Sequence, residues 1–317
     1  MNGTLDGLFV VLMTPLNDAG SQDEKSLGRM LDYYVDAHVR GFTVLAESSE
    51  RDRLSDSEKE ANLKMVFDKL RGKLPIVVGT GRESTQLTIE ESLRAESRGA
   101  TALMVSPPRN PKLRDQAIFD FFAAVGDSVG IPLVIQDFPQ NERPYMSPEL
   151  IARVHREVKN AQYLKLEDAP TPIKLEKVRA LAGEKLKVFG ALYGRDAFWE
   201  LDQGAAGIMT ATATPEYLIS MLDEFRRGNR GRALDIYLYS LPLTYFLSDV
   251  GIAVRKEILV QRGVIQTAKM KQPASELTVS ARRQLAETLG WVERRMSEIV
   301  GVKPHRLVGG APLSSSS

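Results

Sequence analysis

Cysteine does not occur anywhere in the 317-residue chain, which excludes disulfides, thiolate nucleophiles and cysteine-bound metals. That absence fits a cytoplasmic protein, the location expected here. Histidine is nearly as scarce. His38 and His155 fall on predicted helices and His305 near the C-terminal end, none of them at a strand end. A histidine-built zinc site or a Ser-His-Asp triad is therefore not expected. An excess of charge is missing too: lysine plus arginine (42) balances aspartate plus glutamate (41), so nothing argues for nucleic acid. No apolar run is long enough to cross a bilayer, and Met1 to Gly7 lacks the basic-then-apolar pattern of a secretory signal. No cofactor and no metal is expected. A magnesium site built from Glu47, Glu50, Asp137 and Glu167 is the minor alternative.

What is present is a regular alternation. Short apolar runs occur at 8–13, 42–46, 74–78, 101–105, 131–136, 162–168, 186–190 and 206–210. Stretches with helical spacing lie between them, among them Ser26 to Val39 stopped by Gly41. Helix starts are marked by Ser55-Asp56-Ser57-Glu58, a capping box, and by Ser147-Pro148. Near-continuous apolar strands separated by helices indicate a parallel sheet covered on both sides, and eight such units predict a closed (β/α)8 TIM barrel. An open doubly wound sheet is the alternative, but Met13-Thr14-Pro15-Leu16 is not the glycine-rich loop expected after its first strand. The expected division is a barrel over 1–225, a C-terminal helical region over 226–302 and a flexible tail over 303–317.

One strand carries a lysine in its middle: Gln162-Tyr163-Leu164-Lys165-Leu166-Glu167-Asp168. Side chains alternate along a strand, so Leu164 and Leu166 share one face while Tyr163, Lys165 and Glu167 share the other. In an open sheet such a lysine guards an edge. In a closed barrel there is no edge, and burial makes the amine available in its neutral, nucleophilic form. Glu167 is either the partner that neutralises Lys165 or a proton carrier; both readings stay open. Other strand ends bring further polar groups to the same rim: Thr14, the loop Glu47-Ser48-Ser49-Glu50, Gly79-Thr80-Gly81, Gln136, Gly190 and Thr210. Active sites of such barrels sit at this C-terminal rim.

With these residues in place the chain resembles, from about Leu8 to Val292, the dihydrodipicolinate synthase / N-acetylneuraminate lyase family of Schiff-base-forming barrels. Ala46-Glu47-Ser48-Ser49-Glu50 lies where the family has Gly-Thr-Thr-Gly-Glu, Val78-Gly79-Thr80-Gly81 is similar to its third-strand signature, and Ser106-Pro107-Pro108 sits at its fourth. Lys165 falls on the Schiff-base lysine, Gly190 on the seventh-strand glycine and Gly207-Ile208 on the eighth strand. The resemblance implies Lys165, Glu167 and Gln136 as the catalytic set. It implies Thr14, Glu47, Ser48, Ser49, Arg143 (or Asn141), Gly190 and Ile208 as the substrate-binding set. The chain departs from the family pattern where Gln136 replaces the proton-relaying tyrosine, where Pro108 and Arg109 replace a further tyrosine pair, and where Glu47 and Ser48 replace the carboxylate-binding threonines. A glutamine is neither acid nor base, which leaves Glu167, Glu47 or Tyr193 to move protons.

The implied activity is a lyase or aldolase that joins Lys165 to a pyruvate-like 2-oxo acid and makes or breaks an adjacent carbon–carbon bond with an aldehyde. A dehydratase or a 2-keto-3-deoxy sugar acid aldolase on the same lysine is the alternative, as is a degenerate barrel that binds such an acid without turnover. A magnesium-dependent aldolase comes last. The expected partners are those small molecules and further copies of the chain, as a dimer or tetramer; no nucleic acid and no membrane is expected.

Overall fold

Each strand forms where an apolar run is buried on both faces. In the computed structural model, which describes residues 4–140 and 142–306 (for 247–250 the backbone only), eight parallel strands close a barrel in chain order. They are β1 (Gly7–Val11), β2 (Gly41–Val44), β3 (Ile76–Gly79), β4 (Ala102–Val105), β5 (Leu133–Asp137), β6 (Ala161–Leu166), β7 (Lys187–Gly190) and β8 (Gly207–Thr210). β8 pairs back onto β1 through Leu8↔Ile208 and Phe9↔Met209, which closes the ring. The fold is thus the (β/α)8 barrel that the alternation of runs predicts. Asn141 and residues 307–317 of the expected tail lie outside the described residues.

The connecting helices are α1 (Glu24–Asp36), α2 (Asp56–Leu70), α3 (Thr85–Ser97), α4 (Asp115–Ser128), α5 (Pro148–Glu157), α6 (Thr171–Ala182), α7 (Ala197–Asp202) and α8 (Pro215–Arg226). The capping box at α2 is formed: Ser55 Oγ accepts from Glu58 N at 3.2 Å and Glu58 Oε2 from Ser55 N at 2.9 Å. α1 departs from expectation at both ends. It starts before Ser26 because the Asp23 carboxylate accepts from Ser26 N at 3.0 Å and so caps the helix. It ends at Asp36, ahead of Gly41, because His38 turns to φ 63; Gly41 instead opens β2. There a Cβ would lie 2.3 Å from the Phe9 ring, so only glycine lets that ring enter the barrel.

Register partners on adjacent parallel strands point to the same side, and this fixes the layers of the lumen. Phe9, Tyr163 and Phe189 meet inside it, with ring centroids 5.4 Å (Phe9–Phe189) and 6.3 Å (Tyr163–Phe189) apart. The Tyr163 hydroxyl accepts from Leu5 N at 3.1 Å, which closes the N-terminal end. Lys165 enters the lumen in register with Phe189 and Gln136, two residues beyond Tyr163 along the strand.

After α8 the chain continues as α9 (Arg230–Val250), α10 (Ile252–Gln261) and α11 (Val279–Arg295), with no strand among the described residues. Residues 262–278 run without helix between α10 and α11, an interruption of the nearly continuous helix expected there. α10 reaches over the C-terminal rim of the barrel. Its Lys256 Nζ lies 2.6 Å from Glu50 Oε1, both side chains being fully buried, and Arg255 stacks 3.5 Å above the Tyr193 ring. Near the end of the described chain, the His305 ring nitrogen lies 2.9 Å from Tyr33 O on α1.

Candidate active site

Two adjacent strands put the central side chains together. Gln136 on β5 is the register partner of Lys165 on β6, so both enter the lumen at one level. Glu167, two residues beyond Lys165, enters one level higher. Lys165 Nζ lies 3.0 Å from Glu167 Oε1, and Gln136 Nε2 donates to Glu167 Oε2 at 2.7 Å. The glutamine is itself held by Ser106 at the end of β4, whose hydroxyl donates to Gln136 Oε1 at 2.6 Å. Gln140, in the loop after β5, donates to the Glu167 carbonyl at 2.7 Å. Lys165, Gln136, Glu167 and Ser106 are all buried. An amine and a carboxylate removed from water in this way hold each other's charge, since either alone would be costly there. When the amine reacts as a nucleophile its proton has an acceptor within hydrogen-bond distance.

The loop after β2 is tied to β1. Glu47 to Ser49 form a single 3₁₀ turn, and Glu50 follows with φ 58. The Ser49 hydroxyl accepts from Ala46 N at 3.1 Å and donates to Leu12 O at 2.6 Å, while Thr14 Oγ1 donates to Ser49 O at 2.7 Å. The hydroxyls of Thr14 and Ser49 thus hold the shape of this loop. Glu47 turns toward the loops after β4 and β5. Its Oε1 accepts from Arg143 at 2.8 Å and from Arg109 at 3.3 Å. Arg143 also donates to Pro107 O at 2.6 Å, and Arg109 reaches Asp52 and Glu83 as well. Burial alone would raise the Asp52 carboxyl, but Arg51 and Arg109 beside it hold it below the usual carboxylate range.

The turn after β7 completes the rim. Leu192 (φ 43) and Tyr193 (φ 65) both adopt the left-handed region although neither is glycine, a strain of about 1–3 kcal/mol each. Tyr193 is kept there by its amide, which donates to Thr210 Oγ1 at 3.0 Å, and by the Arg255 guanidinium over its ring. Gly190 faces away from the lumen, opposite in parity to Phe189. A Cβ on it would lie 1.8 Å from Glu200 Oε2 on α7. Burial pushes Glu200 up to about 8, against the pull of the Thr171 hydroxyl that donates to it at 2.6 Å. Ile208, the register partner of Gly190, faces the same way. Both leave only backbone toward the substrate side.

A cavity of about 420 Å³ opens at this rim, lined by Glu47, Arg109, Phe138, Gln140, Tyr193 and neighbours. A larger one, about 600 Å³, lies at the opposite end around Leu5 and Tyr163. Its lining includes Tyr163 but none of Lys165, Glu167 or Gln136, so it lies away from the bonded group. Among the described residues no cluster of three or more His, Asp or Glu could hold a metal ion. No helix among them is long and apolar enough to cross a membrane.

Of the residues singled out by sequence, Lys165, Glu167 and Gln136 form one bonded group, and Thr14, Ser49, Glu47 and Arg143 form the adjoining rim. Ser106 and Gln140 join the group without a role assigned to them from sequence. Ser106 shares the inward parity of Met104, a spacing that could have singled it out; Gln140 sits in an aperiodic loop that offers no such signal.

The family model described as Dihydrodipicolinate synthetase family matches residues 4–291. The L-2-keto-3-deoxyarabonate dehydratase of Azospirillum brasilense is 30% identical over 301 residues, covering 93% of this chain and 95% of that protein. The 4-hydroxy-tetrahydrodipicolinate synthase of Trichlorobacter lovleyi is 27% identical over 242 residues, covering 75% and 81% respectively. The crystal structure of dihydrodipicolinate synthase from Rhodopseudomonas palustris matches with a TM-score of 0.85 at 26% identity, covering 90% of this chain and 97% of that one.

Proposed function

The chain belongs to the dihydrodipicolinate synthetase family, and from that premise we propose that it is a metal-independent dehydratase of a 2-keto-3-deoxy sugar acid, working through an imine on Lys165. The observation that carries this reading is Glu167, 3.0 Å from the Lys165 amine and 2.7 Å from Gln136 Nε2. The likeness to a dehydratase over nearly the whole length of both chains supports it.

The amine attacks C2 and water leaves, giving the iminium form of the imine. That cation acidifies the C3 protons, because the electrons left behind delocalise onto nitrogen. Glu167 accepts one C3 proton. The enamine then expels the C4 hydroxyl, which takes that proton from Glu167 and departs as water. Hydrolysis of the imine releases the oxo acid and restores Lys165, so the net change is the loss of one water. One carboxyl group carries the proton over both steps, and Gln136 needs only to orient it. The turn of Glu47, Ser48 and Ser49, fixed by Thr14, is the proposed seat of the C1 carboxylate. Gly190 and Ile208 contribute backbone, and Arg143 stands with Glu47 beside the far end of the substrate.

Borohydride trapping with pyruvate and a 2-keto-3-deoxypentonate, read by intact mass, is the test. Wild type should gain a reduced adduct that Lys165→Ala lacks, and the pentonate should lose one water without releasing pyruvate. Release of pyruvate and an aldehyde would favour the second reading, an aldolase, which the likeness to 4-hydroxy-tetrahydrodipicolinate synthases supports. Absence of any adduct would leave a barrel that binds without turnover. Turnover lost to EDTA and restored by magnesium would overturn metal independence. Assembly as a homo-oligomer is part of the proposal, to be checked by light scattering.

A further inference from the structure

Arg143 has the buried guanidinium and rim position suited to a substrate carboxylate, yet the protein already occupies both of its terminal nitrogens, leaving only the buried Nε without a partner. One terminal nitrogen donates to Pro107 O at 2.6 Å and the other to Glu47 Oε1 at 2.8 Å. Glu47 shares a second arginine, Arg109, with Asp52 and Glu83. With Arg51, which pairs with Asp52 at 3.1 Å, the local balance is three guanidinium charges against the three carboxylates Glu47, Asp52 and Glu83. A second carboxylate on the substrate would find these guanidinium charges already matched by carboxylates and would have to displace Glu47 to reach the terminal nitrogen of Arg143 that it holds. A hydroxyl meets no such barrier, since Glu47 is an acceptor and can take an O–H without any change of charge.

We propose that Glu47 is a specificity-determining residue: by keeping Arg143 paired within the protein, it selects 2-oxo acids whose far end carries neutral hydroxyls and excludes those with a second carboxylate. This rests on the imine reading above. It explains why a carboxylate is tolerated at a rim that must accept an anionic substrate. The glutamate side chain is engaged by the arginines, and its charge is directed at the far end of the substrate instead of at C1.

The experiment measures half-saturation of borohydride trapping for three acids: pyruvate, which has no far end; a 2-keto-3-deoxypentonate, which ends in hydroxyls; and 2-oxoglutarate, which ends in a carboxylate. Wild type should capture 2-oxoglutarate roughly tenfold or more less well than the pentonate, the scale expected for a like-charge mismatch. This comparison needs no variant. Glu47→Gln should improve 2-oxoglutarate relative to pyruvate by about tenfold, by freeing Arg143. Adding Arg143→Gln should remove that gain. Equal capture of 2-oxoglutarate and pentonate by wild type, or an unchanged 2-oxoglutarate-to-pyruvate ratio in Glu47→Gln, overturns the inference while pyruvate trapping keeps the imine reading intact. No adduct with any of the three acids overturns the imine reading, and this inference with it.

Discussion

Gln136 donates to Glu167 Oε2 at 2.7 Å from the strand position directly beside Lys165. An amide has no acid or base function near neutral pH, so its contribution is geometric. It takes one carboxylate oxygen and leaves the other 3.0 Å from the lysine amine. Ser106, donating to Gln136 Oε1 at 2.6 Å, makes Nε2 the end that faces Glu167. Three strands therefore cooperate to aim one carboxylate, and the residue that departs from the family pattern is the middle link.

Glu167→Gln should leave imine trapping largely intact, because the nucleophile remains, while turnover falls by roughly 10²–10⁴-fold, the usual worth of a positioned acid or base. Trapping yield and steady-state rate measured on one preparation separate the two. Normal turnover would reduce Glu167 to a counter-ion of Lys165.

Gln136→Leu removes the donor to Glu167 and leaves the Ser106 hydroxyl without its acceptor. Losing a hydrogen bond to a charged group costs about 1.5–3 kcal/mol, so kcat should fall roughly 10–100-fold with little change in KM. Gln136→Glu offers a sharper check. A second carboxylate against Glu167 disfavours ionisation of both, which should move the acidic limb of the pH–rate profile upward. A profile that does not move would show that Gln136 and Glu167 do not act together.

The barrel is legible in the sequence because each apolar run is buried on both faces, and Lys165 stands out as a lysine within one of them. Pairings across the barrel are not legible. Glu47 meets Arg143 from 96 residues away, and Glu50 meets Lys256 from 206. No local periodicity encodes such distances. Gly190 reads from sequence as a site glycine; that its lack of a side chain also makes room for Glu200 is a constraint from a separate helix, which no local pattern encodes. The start of α1 is ambiguous for a local reason: Asp23 and Ser26 both suit a helix start, and only the bond from Ser26 N to Asp23 shows which one caps it.

Lys256→Met should destabilise the protein by about 3–5 kcal/mol, since it strands Glu50 as a buried unpaired charge. The pair is fully buried at 2.6 Å, and Glu50 Oε2 also accepts from Lys271 N at 2.7 Å. Burial lowers the Lys256 amine from its ordinary range, and Glu50 opposes that change. Adding Glu50→Gln should return part of the loss, because the remaining group is then neutral. Urea unfolding of the two variants checks this. Equal stability of Lys256→Met and wild type would mean that the pair adds nothing to holding α10 over the rim.

Glu200 should make stability fall as pH rises toward 8. Its carboxyl is fully buried on α7 and pushed by burial from 4.5 up to about 8. Between those values the folded protein keeps a proton that the unfolded chain has released. Unfolding then releases a proton, so higher pH favours the unfolded state. The stability this group contributes is fully present below 4.5 and gone once pH passes 8. Asp137, raised by burial to about 6, acts in the same direction but only up to that pH, so the window from 6 to 8 isolates Glu200. Glu200→Gln stays neutral throughout and keeps nearly the same shape against Gly190. Its urea unfolding free energy should be flat across that window while wild type declines. The gap should reach on the order of 2–4 kcal/mol at pH 8.5, since a tenfold change in proton affinity is worth about 1.4 kcal/mol. Parallel curves for the two proteins would mean that Glu200 is ionised in the folded state at neutral pH.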